Sequence, residues 1–199
     1  PRGPPVGGFR EPPLLWVGRL SAEKGCRHLL DALALLRSRG VACSLDIAGS
    51  GPEGDRLRAH VTRLGLEGQV RFHGYVAHGP ALYALYRQAM ALVLPSLSEG
   101  LPQVITEAQA AGLPVVASAV GGIPALLRHR ETALLVPPGD VVALAGAIEQ
   151  VVGSADLRER LRRNGRALLR RNTLEAQRDR MHTIIRQEVL PGKASADRP

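Results

Sequence analysis

Aromatic residues are scarce in this sequence, since one Trp, three Tyr and two Phe make up only 3% of its 199 residues. Hydrophobic residues still amount to 45%, so a core must be built mainly from Leu, Val, Ile and Ala. Such residues suit a parallel sheet that is covered by helices on both faces. The scarcity of rings also argues against a nucleic-acid partner, because proteins that bind single strands stack bases on aromatic side chains, and no reader motif is present.

Cysteine is equally rare. Cys26 and Cys43 both lie within apolar patterns and are predicted to be buried, reduced thiols, which fits a cytoplasmic setting. The six histidines show no metal-ligand spacing with each other or with the cysteines, so no metal site is expected. There is no run of about 18 apolar residues and no signal peptide, so we expect no membrane-spanning segment.

Acidic residues are fewer than basic ones, with 18 Asp and Glu against 26 Lys and Arg. The resulting formal charge of +8 predicts anionic partners. Seven arginines lie between Arg158 and Arg171. Four of them recur at four-residue spacing along a predicted helix: Arg158, Arg162, Arg166 and Arg170. Three leucines form an adjacent apolar stripe: Leu157, Leu161 and Leu168. The stripe is either a solvated helix face or a surface that holds the protein peripherally at an anionic inner membrane face.

Short apolar runs alternate with helical patterns along the chain. The predicted strands are residues 14–18, 44–48, 70–73, 91–94, 114–117 and 133–136. The predicted helices are residues 21–39, 52–65, 80–90, 102–111, 123–128 and the chain from 141 onward, with breaks near Gly153 and Asn172. This alternation predicts an α/β fold with a doubly wound parallel sheet. Residues 1–13 are interpreted as a linker, 14–190 as the domain and 191–199 as a disordered tail.

In such sheets ligands bind outside the carboxyl ends of the strands, so the loops there are the candidate sites. The loop 49–54 (GSGPEG) has three glycines between a strand and a helix. It follows the second strand, and Pro52 removes an amide that a pyrophosphate would use. We interpret this loop as a close backbone approach to a ligand, with a tight turn into a helix as the alternative.

Two further loops carry charge. Arg19 and Lys24 follow the first strand beside a helix start, where cations and helix amides suit phosphate oxygens. A solvated turn is the alternative. Glu99 lies in the loop after the fourth strand and Glu107 on the next helix. Carboxylates accept hydrogen bonds from the hydroxyls of sugars, so the two could hold two different sugar rings, and Gly100 would let the backbone come close to a ligand.

The order of these motifs resembles a known family. The segments that carry the resemblance are 17–20 (VGRL) with 24–25 (KG), 49–52 (GSGP), 70–76 (VRFHGYV), 95–99 (PSLSE) with 107–108 (EA), 112–117 (GLPVVA), 121–124 (GGIP) and 136–140 (VPPGD). As an ordered set they are similar to the C-terminal domain of the retaining, B-type "group 1" glycosyltransferases (GT-B), which include sucrose synthases and bacterial mannosyltransferases. The resemblance covers about residues 14–140.

The resemblance implies a Rossmann-like domain that binds a nucleoside diphosphate sugar, such as a UDP-, GDP- or ADP-sugar. It implies that Arg19 and Lys24 bind the diphosphate and that Glu99 contacts the donor sugar, the three forming the catalytic group. The other predicted site residues contact the donor: Gly51, Val76, Gly100, Leu101 and Glu107. Within this set Glu107 matches the carboxylate for the ribose hydroxyls, Val76 lies where the chain meets the base, and Gly100 with Leu101 presents backbone amides.

The same resemblance implies retaining, metal-independent transfer without a cofactor. It also implies that an N-terminal domain holds the acceptor, and because only 13 residues precede the first strand, we expect the chain to be a fragment or a stand-alone module. Three alternatives stay open. Glu99 could act as a nucleophile as in retaining glycosidases. The domain could belong to an epimerase or a phosphorylase of this fold, or it could be a non-catalytic module for nucleotide binding or membrane docking.

Overall fold

Six short apolar runs form one parallel sheet in the computed structural model, which describes residues 11–171. The strands of this part of the chain are β1 (Leu14–Val17), β2 (Leu45–Ala48), β3 (Val70–Gly74), β4 (Ala91–Leu94), β5 (Val115–Ser118) and β6 (Leu134–Val136). Each strand pairs with its neighbours in parallel, in the order β3-β2-β1-β4-β5-β6. The predicted doubly wound sheet is confirmed. Its order reverses between β1 and β4, where folds of this type open a ligand crevice.

Helices connect the strands and cover both faces of the sheet. Between residues 11 and 171 they are α1 (Cys26–Ser38), α2 (Gly54–Leu64), α3 (Pro80–Gln88), α4 (Gln103–Ala111), α5 (Ile123–Leu126), α6 (Val141–Gly153) and α7 (Ala155–Arg171). Glycines in the left-handed conformation end α2 and α4, as expected for residues without a Cβ at a helix C-terminus. The proposed linker to residue 10, the break at Asn172 and the tail lie outside the described residues.

The core consists of two apolar clusters, one on each face of the sheet. Successive side chains of β1 point to opposite faces, so Leu14 and Trp16 belong to one cluster and Leu15 to the other. Residues of α1, α2, α6 and α7 complete the first cluster, and residues of α3, α4 and α5 complete the second. Among the described residues, Trp16 and Tyr86 are the fully buried aromatic side chains. The rest of the core is aliphatic, as the composition predicts.

One predicted helix is wrong in its continuity. Residues 21–39 do not form a single helix, because a short 3-10 turn (Ala22–Lys24) is separated from α1 by Gly25. Gly25 adopts a left-handed φ of 67°, and a Cβ there would lie 1.9 Å from the carbonyl oxygen of Pro95. The chain bends so that the loop after β1 packs on the loop after β4. Similarly, α2 starts at Gly54 rather than Pro52, since the amide of Glu53 donates to the carbonyl of Leu20 at 3.0 Å.

Both cysteines are free. Cys26 is buried at the start of α1, and Cys43 is half-buried just before β2. Burial raises the pKa of the Cys26 thiol to about 12 and that of Cys43 to about 11, because a thiolate is poorly solvated in apolar surroundings. The predicted burial is confirmed for Cys26, whereas Cys43 is only half-buried.

Candidate active site at the carboxyl edge of the sheet

The loops after β1 and β4 meet at the point where the strand order reverses. The amide of Leu97 donates to the carbonyl of Glu23 at 2.8 Å, and Gly25 lies against the backbone of Pro95. These contacts place the two charged loops predicted from the sequence side by side. They also explain why the position of Gly25 tolerates no side chain.

Lys24 and Glu99 form the central ion pair of this edge. Lys24 Nζ lies 2.9 Å from Glu99 Oε1, and Ser96 Oγ donates to the same oxygen at 2.7 Å. The side chain of Glu99 is only 6% exposed, whereas that of Lys24 is 28% exposed. An ammonium group has three N–H donors, so Lys24 can bind Glu99 and still offer donors to an anion at the surface. Ser96, which is fully buried, was not among the predicted site residues.

Arg19 is exposed on the loop after β1 and does not join the Lys24–Glu99 pair. Glu23 lies between the two cations in the sequence. A hydrogen bond from Ser21 Oγ to Glu23 Oε1 (2.5 Å) lowers the pKa of Glu23, and the charges of Lys24 and Arg19 act in the same direction. The edge therefore presents the exposed guanidinium of Arg19 and the partly exposed ammonium of Lys24 beside the carboxylates of Glu23 and Glu99.

Glu107 belongs to a different group of polar side chains, which lies between α3 and α4. Tyr86 Oη donates to Glu107 Oε2 at 2.8 Å, and His78 Nε2 lies 3.4 Å from Glu107 Oε1. Burial, together with the hydrogen bond to Glu107 and its charge, raises the pKa of Tyr86 well above the ordinary value. Sequence reasoning missed Tyr86 and His78. A tyrosine within an apolar helical pattern was the available signal, because a buried hydroxyl needs a partner.

Gly51 packs closely against the backbone of Leu20, in the loop after β1. A Cβ on Gly51 would lie 2.4 Å from the carbonyl oxygen of Leu20, and the amide of Leu20 donates to the carbonyl of Ser50 at 3.0 Å. The glycine-rich loop is thus packed on the loop after β1, which is a sufficient reason for its small residues. A contact between Gly51 and a donor stays a prediction.

The backbone around Glu99 and Gly100 is held by the loop after β5. The amide of Gly122 donates to the carbonyl of Gly100 at 3.0 Å, and a Cβ on Gly121 would lie 1.7 Å from the carbonyl oxygen of Glu99. Gly121 has a left-handed φ of 54°. These two glycines, which the predicted site did not include, therefore fix the loop that carries Glu99.

The remaining predicted site residues lie at or near this edge, and in the described structure they form no polar bond with the Lys24–Glu99 pair or with the group around Glu107. Gly100 is exposed, Leu101 is 73% exposed, and Val76 is half-buried against the second core cluster. Within residues 11–171, no group of three His, Cys, Asp or Glu side chains is arranged to hold a metal ion. Metal independence is not decided by that finding and stays a prediction.

Two of the four arginines of the α7 stripe donate to backbone carbonyls of the fold, while Arg162, Arg166 and Arg170 have exposed side chains. Arg158 donates to the carbonyls of Val151 and Val152 at 2.7 and 2.9 Å, and Arg166 donates to Ala111 at 3.4 Å.

The neighbouring apolar stripe is not free either. Leu157 and Leu161 are buried in the core, and Leu168 packs against the second core cluster. The apolar surface of Leu157 and Leu161 is therefore not available to a bilayer, and that of Leu168 is only partly exposed. In the described part of the chain, no helix combines the length and apolar character needed to span a membrane. Peripheral membrane contact stays an untested prediction.

Comparison with known proteins agrees with the resemblance inferred from the motifs. The family described as "Glycosyl transferases group 1" matches residues 9–168. The alpha-D-kanosaminyltransferase of Streptomyces kanamyceticus is 34% identical over 179 residues, which are 88% of this chain and 46% of that protein. Among solved structures, the sucrose-phosphate synthase of Thermosynechococcus elongatus shares 35% identity with a TM-score of 0.76, covering 89% of this chain and 45% of that one.

A further structure, Anabaena HepE in complex with UDP-glucose, shares 27% identity with a TM-score of 0.77, covering 88% of this chain and 49% of that one. The chain thus spans less than half the length of these three proteins. The fold shared with them confirms the predicted class, an α/β Rossmann-like domain matching GT-B glycosyltransferases.

Proposed function

Since the chain belongs to the glycosyl transferases group 1 family, we propose that it binds the donor, a nucleoside diphosphate sugar, of a retaining glycosyltransferase. The observation that carries the proposal is the Lys24–Glu99 pair at the point where the strand order reverses, with Glu107 on the helix that follows. In this arrangement cations and carboxylates lie at the carboxyl edge of the sheet, which supports the assignment of a diphosphate and sugar hydroxyls to it. A diphosphate linked to two sugar rings, the ribose and the transferred sugar, matches that set of groups.

Arg19 and Lys24 are assigned to the diphosphate. Cleavage of the anomeric bond leaves additional negative charge on the leaving group, and fixed cations lower the energy of that state. Each charge-assisted hydrogen bond contributes about 1.5–3 kcal/mol. Two such contacts, with help from the ribose and the base, are enough for micromolar binding, about −8 kcal/mol. In this proposal the cations take the place of a divalent metal, so transfer needs none.

Glu99 is assigned to the donor sugar. Its carboxylate is held by Lys24 and Ser96, and its backbone by the loop of Gly121 and Gly122. A carboxylate fixed on both sides is well placed to accept from a sugar hydroxyl. The adjacent residues Gly100 and Leu101, which are exposed, would offer backbone amides.

Glu107 is assigned to the ribose hydroxyls and Val76 to the surroundings of the base. Tyr86 holds one oxygen of Glu107, and the other lies toward the exposed side chain of His78. HepE was solved with UDP-glucose, so UDP is the first nucleotide to test.

Transfer itself is proposed to need a second domain. The chain spans 46% of the kanosaminyltransferase and 45% of the sucrose-phosphate synthase, and the acceptor is assigned to the portion not represented here. The 199-residue chain is therefore expected to bind a donor and to transfer no sugar when alone.

Isothermal titration calorimetry of the 199-residue chain with UDP, GDP and ADP tests the proposal. With EDTA present, one of the three should bind with a dissociation constant in the micromolar range. The matching nucleoside, which lacks the diphosphate, is the control and should bind about 100-fold more weakly, because it makes neither charge-assisted contact. Failure of all three nucleotides to bind at millimolar concentration would overturn the proposal, and binding only with added Mg²⁺ would overturn metal independence.

A further inference from the structure

Tyr86 is hydrogen-bonded to Glu107, the proposed ribose contact, and is assigned no contact with the donor. Its ring is 1% exposed and belongs to the second core cluster, so α3 holds it in place. Its hydroxyl is directed at α4, where it donates to Glu107 Oε2 at 2.8 Å. The pair joins residues 21 positions apart.

We infer that Tyr86 is a positioning residue that fixes the Glu107 carboxylate so that Oε1 faces the two hydroxyls of a bound ribose. The inference rests on the proposed function of Glu107. It assigns Tyr86 no contact with the ligand, since the ring is buried beneath the carboxylate.

The physical reason lies in the torsion that turns a glutamate carboxylate. That torsion joins an sp³ to an sp² carbon and has broad wells, so a partly exposed glutamate turns its two oxygens easily. A hydrogen bond from a buried ring, which has only two side-chain torsions, selects one orientation. Two adjacent ribose hydroxyls need an acceptor oxygen at a defined place, so a fixed carboxylate binds them with less loss of freedom.

The two oxygens of Glu107 have unlike neighbours. Oε2 faces the buried hydroxyl of Tyr86, whereas Oε1 faces His78, whose side chain is 67% exposed. An exposed histidine 3.4 Å away can be displaced by a ligand at little cost, but a buried hydroxyl cannot. Oε1 is therefore the oxygen available to a ribose.

Tyr86→Phe removes the hydroxyl and leaves the ring, and Tyr83→Phe is the matched control on the same helix. Tyr83 is 39% exposed, and its hydroxyl lies near His78 rather than Glu107. Each variant is titrated with the diphosphate among UDP, GDP and ADP that the wild type binds best, and with the 2′,3′-dideoxy form of the same nucleotide. Circular dichroism melting checks that the variants fold.

Tyr86→Phe should bind the ordinary nucleotide about tenfold more weakly, which is the effect of losing one positioned contact. It should bind the dideoxy nucleotide as the wild type does, because that nucleotide has no ribose hydroxyl to donate to Glu107. In the Glu107→Ala background, Tyr86→Phe should have no further effect. A merely structural role would weaken both nucleotides alike.

The inference is overturned if Tyr86→Phe keeps wild-type affinity for the ordinary nucleotide, or if both forms weaken equally. It is also overturned if Tyr83→Phe reproduces the loss. Failure of the proposed function gives a different result, because the wild type would then bind no nucleotide or would fail to prefer the ordinary form over the dideoxy form.

Discussion

Glu99 and Glu107 are eight positions apart and have the same side chain, but the fold gives them opposite kinds of partner. Glu99 lies on a loop, is 6% exposed and is paired with the ammonium of Lys24. Glu107 lies on a helix, is 21% exposed and receives a hydrogen bond from the neutral phenol of Tyr86. Glu99 is thus paired with an ammonium before any ligand arrives, whereas Glu107 is held by a phenol and lies near the exposed side chain of His78. Two glutamates of the same type therefore differ through their neighbours: Glu99 is held by a cation and Glu107 by a neutral hydroxyl.

The largest effect should come from removing the cation of the first pair. Lys24→Met keeps much of the aliphatic stem but leaves the Glu99 carboxylate buried without its cation. Removing one partner of a buried pair costs about 3–5 kcal/mol, and the partial exposure of Lys24 reduces this to about 1–3 kcal/mol of unfolding free energy. Nucleotide affinity should also fall, by about 10- to 100-fold. Urea denaturation and calorimetry measure the two effects.

Arg56→Met is the matched control, because the Arg56–Glu53 pair is a surface pair with Arg56 82% exposed. Its loss should cost less than about 1 kcal/mol. Adding Glu99→Gln to Lys24→Met should restore much of the stability without restoring nucleotide affinity. If Lys24→Met were no more destabilising than Arg56→Met, Glu99 would not depend on its cation.

The next prediction concerns ligand affinity, whereas Lys24→Met should lower both stability and affinity, and it should separate the two glutamates directly. Glu107→Ala should weaken the bare nucleoside diphosphate by about 1–3 kcal/mol, because the ribose hydroxyls lose their acceptor. Glu99→Ala should leave that affinity unchanged or slightly improved, since Lys24 is freed for the phosphates, and should weaken the intact nucleotide sugar relative to the bare nucleotide. Calorimetry with both ligands gives the comparison. Equal losses of bare-nucleotide affinity in the two variants would contradict the division of roles.

The smallest effect concerns the neutral partner of the second pair. Because burial and Glu107 raise the pKa of Tyr86 above the ordinary value of a tyrosine, the folded protein keeps this hydroxyl protonated where an unfolded chain releases the proton. The contribution of Tyr86 to stability is therefore complete below pH 10 and is lost as the pH rises further.

The ultraviolet absorbance of the wild type and of Tyr86→Phe is titrated with base, and the difference between the two curves reports Tyr86. In the folded protein this difference should show no tyrosinate at pH 10.5. In urea the same difference should show tyrosinate forming at about pH 10. Ionisation of Tyr86 at the same pH in both conditions would show that its hydroxyl is not held between the core and Glu107.

Much of the fold followed from local patterns. All six predicted strands are present, with ends that differ by no more than about a residue, because runs such as residues 91–94 are apolar and bounded by turns. The helix predicted for residues 21–39 was wrong at Gly25, and the reason is a contact with Pro95 that lies 70 positions away in the sequence. The close approach to a ligand inferred for the loop 49–54 stays a prediction, and what the structure shows is that Gly51 packs against Leu20 of the same chain.

The amino-acid sequence by itself determined the type of sheet, the family, and the presence of cations and carboxylates at the strand ends, because these depend on periodicity and on residue types close together in the chain. The tertiary structure alone decided which groups face each other. Lys24 meets Glu99 across 75 positions and Tyr86 meets Glu107 across 21. Those pairings arise from the order of β1 beside β4 and from the packing of α3 on α4, and no local pattern encodes the distance between two residues on different elements.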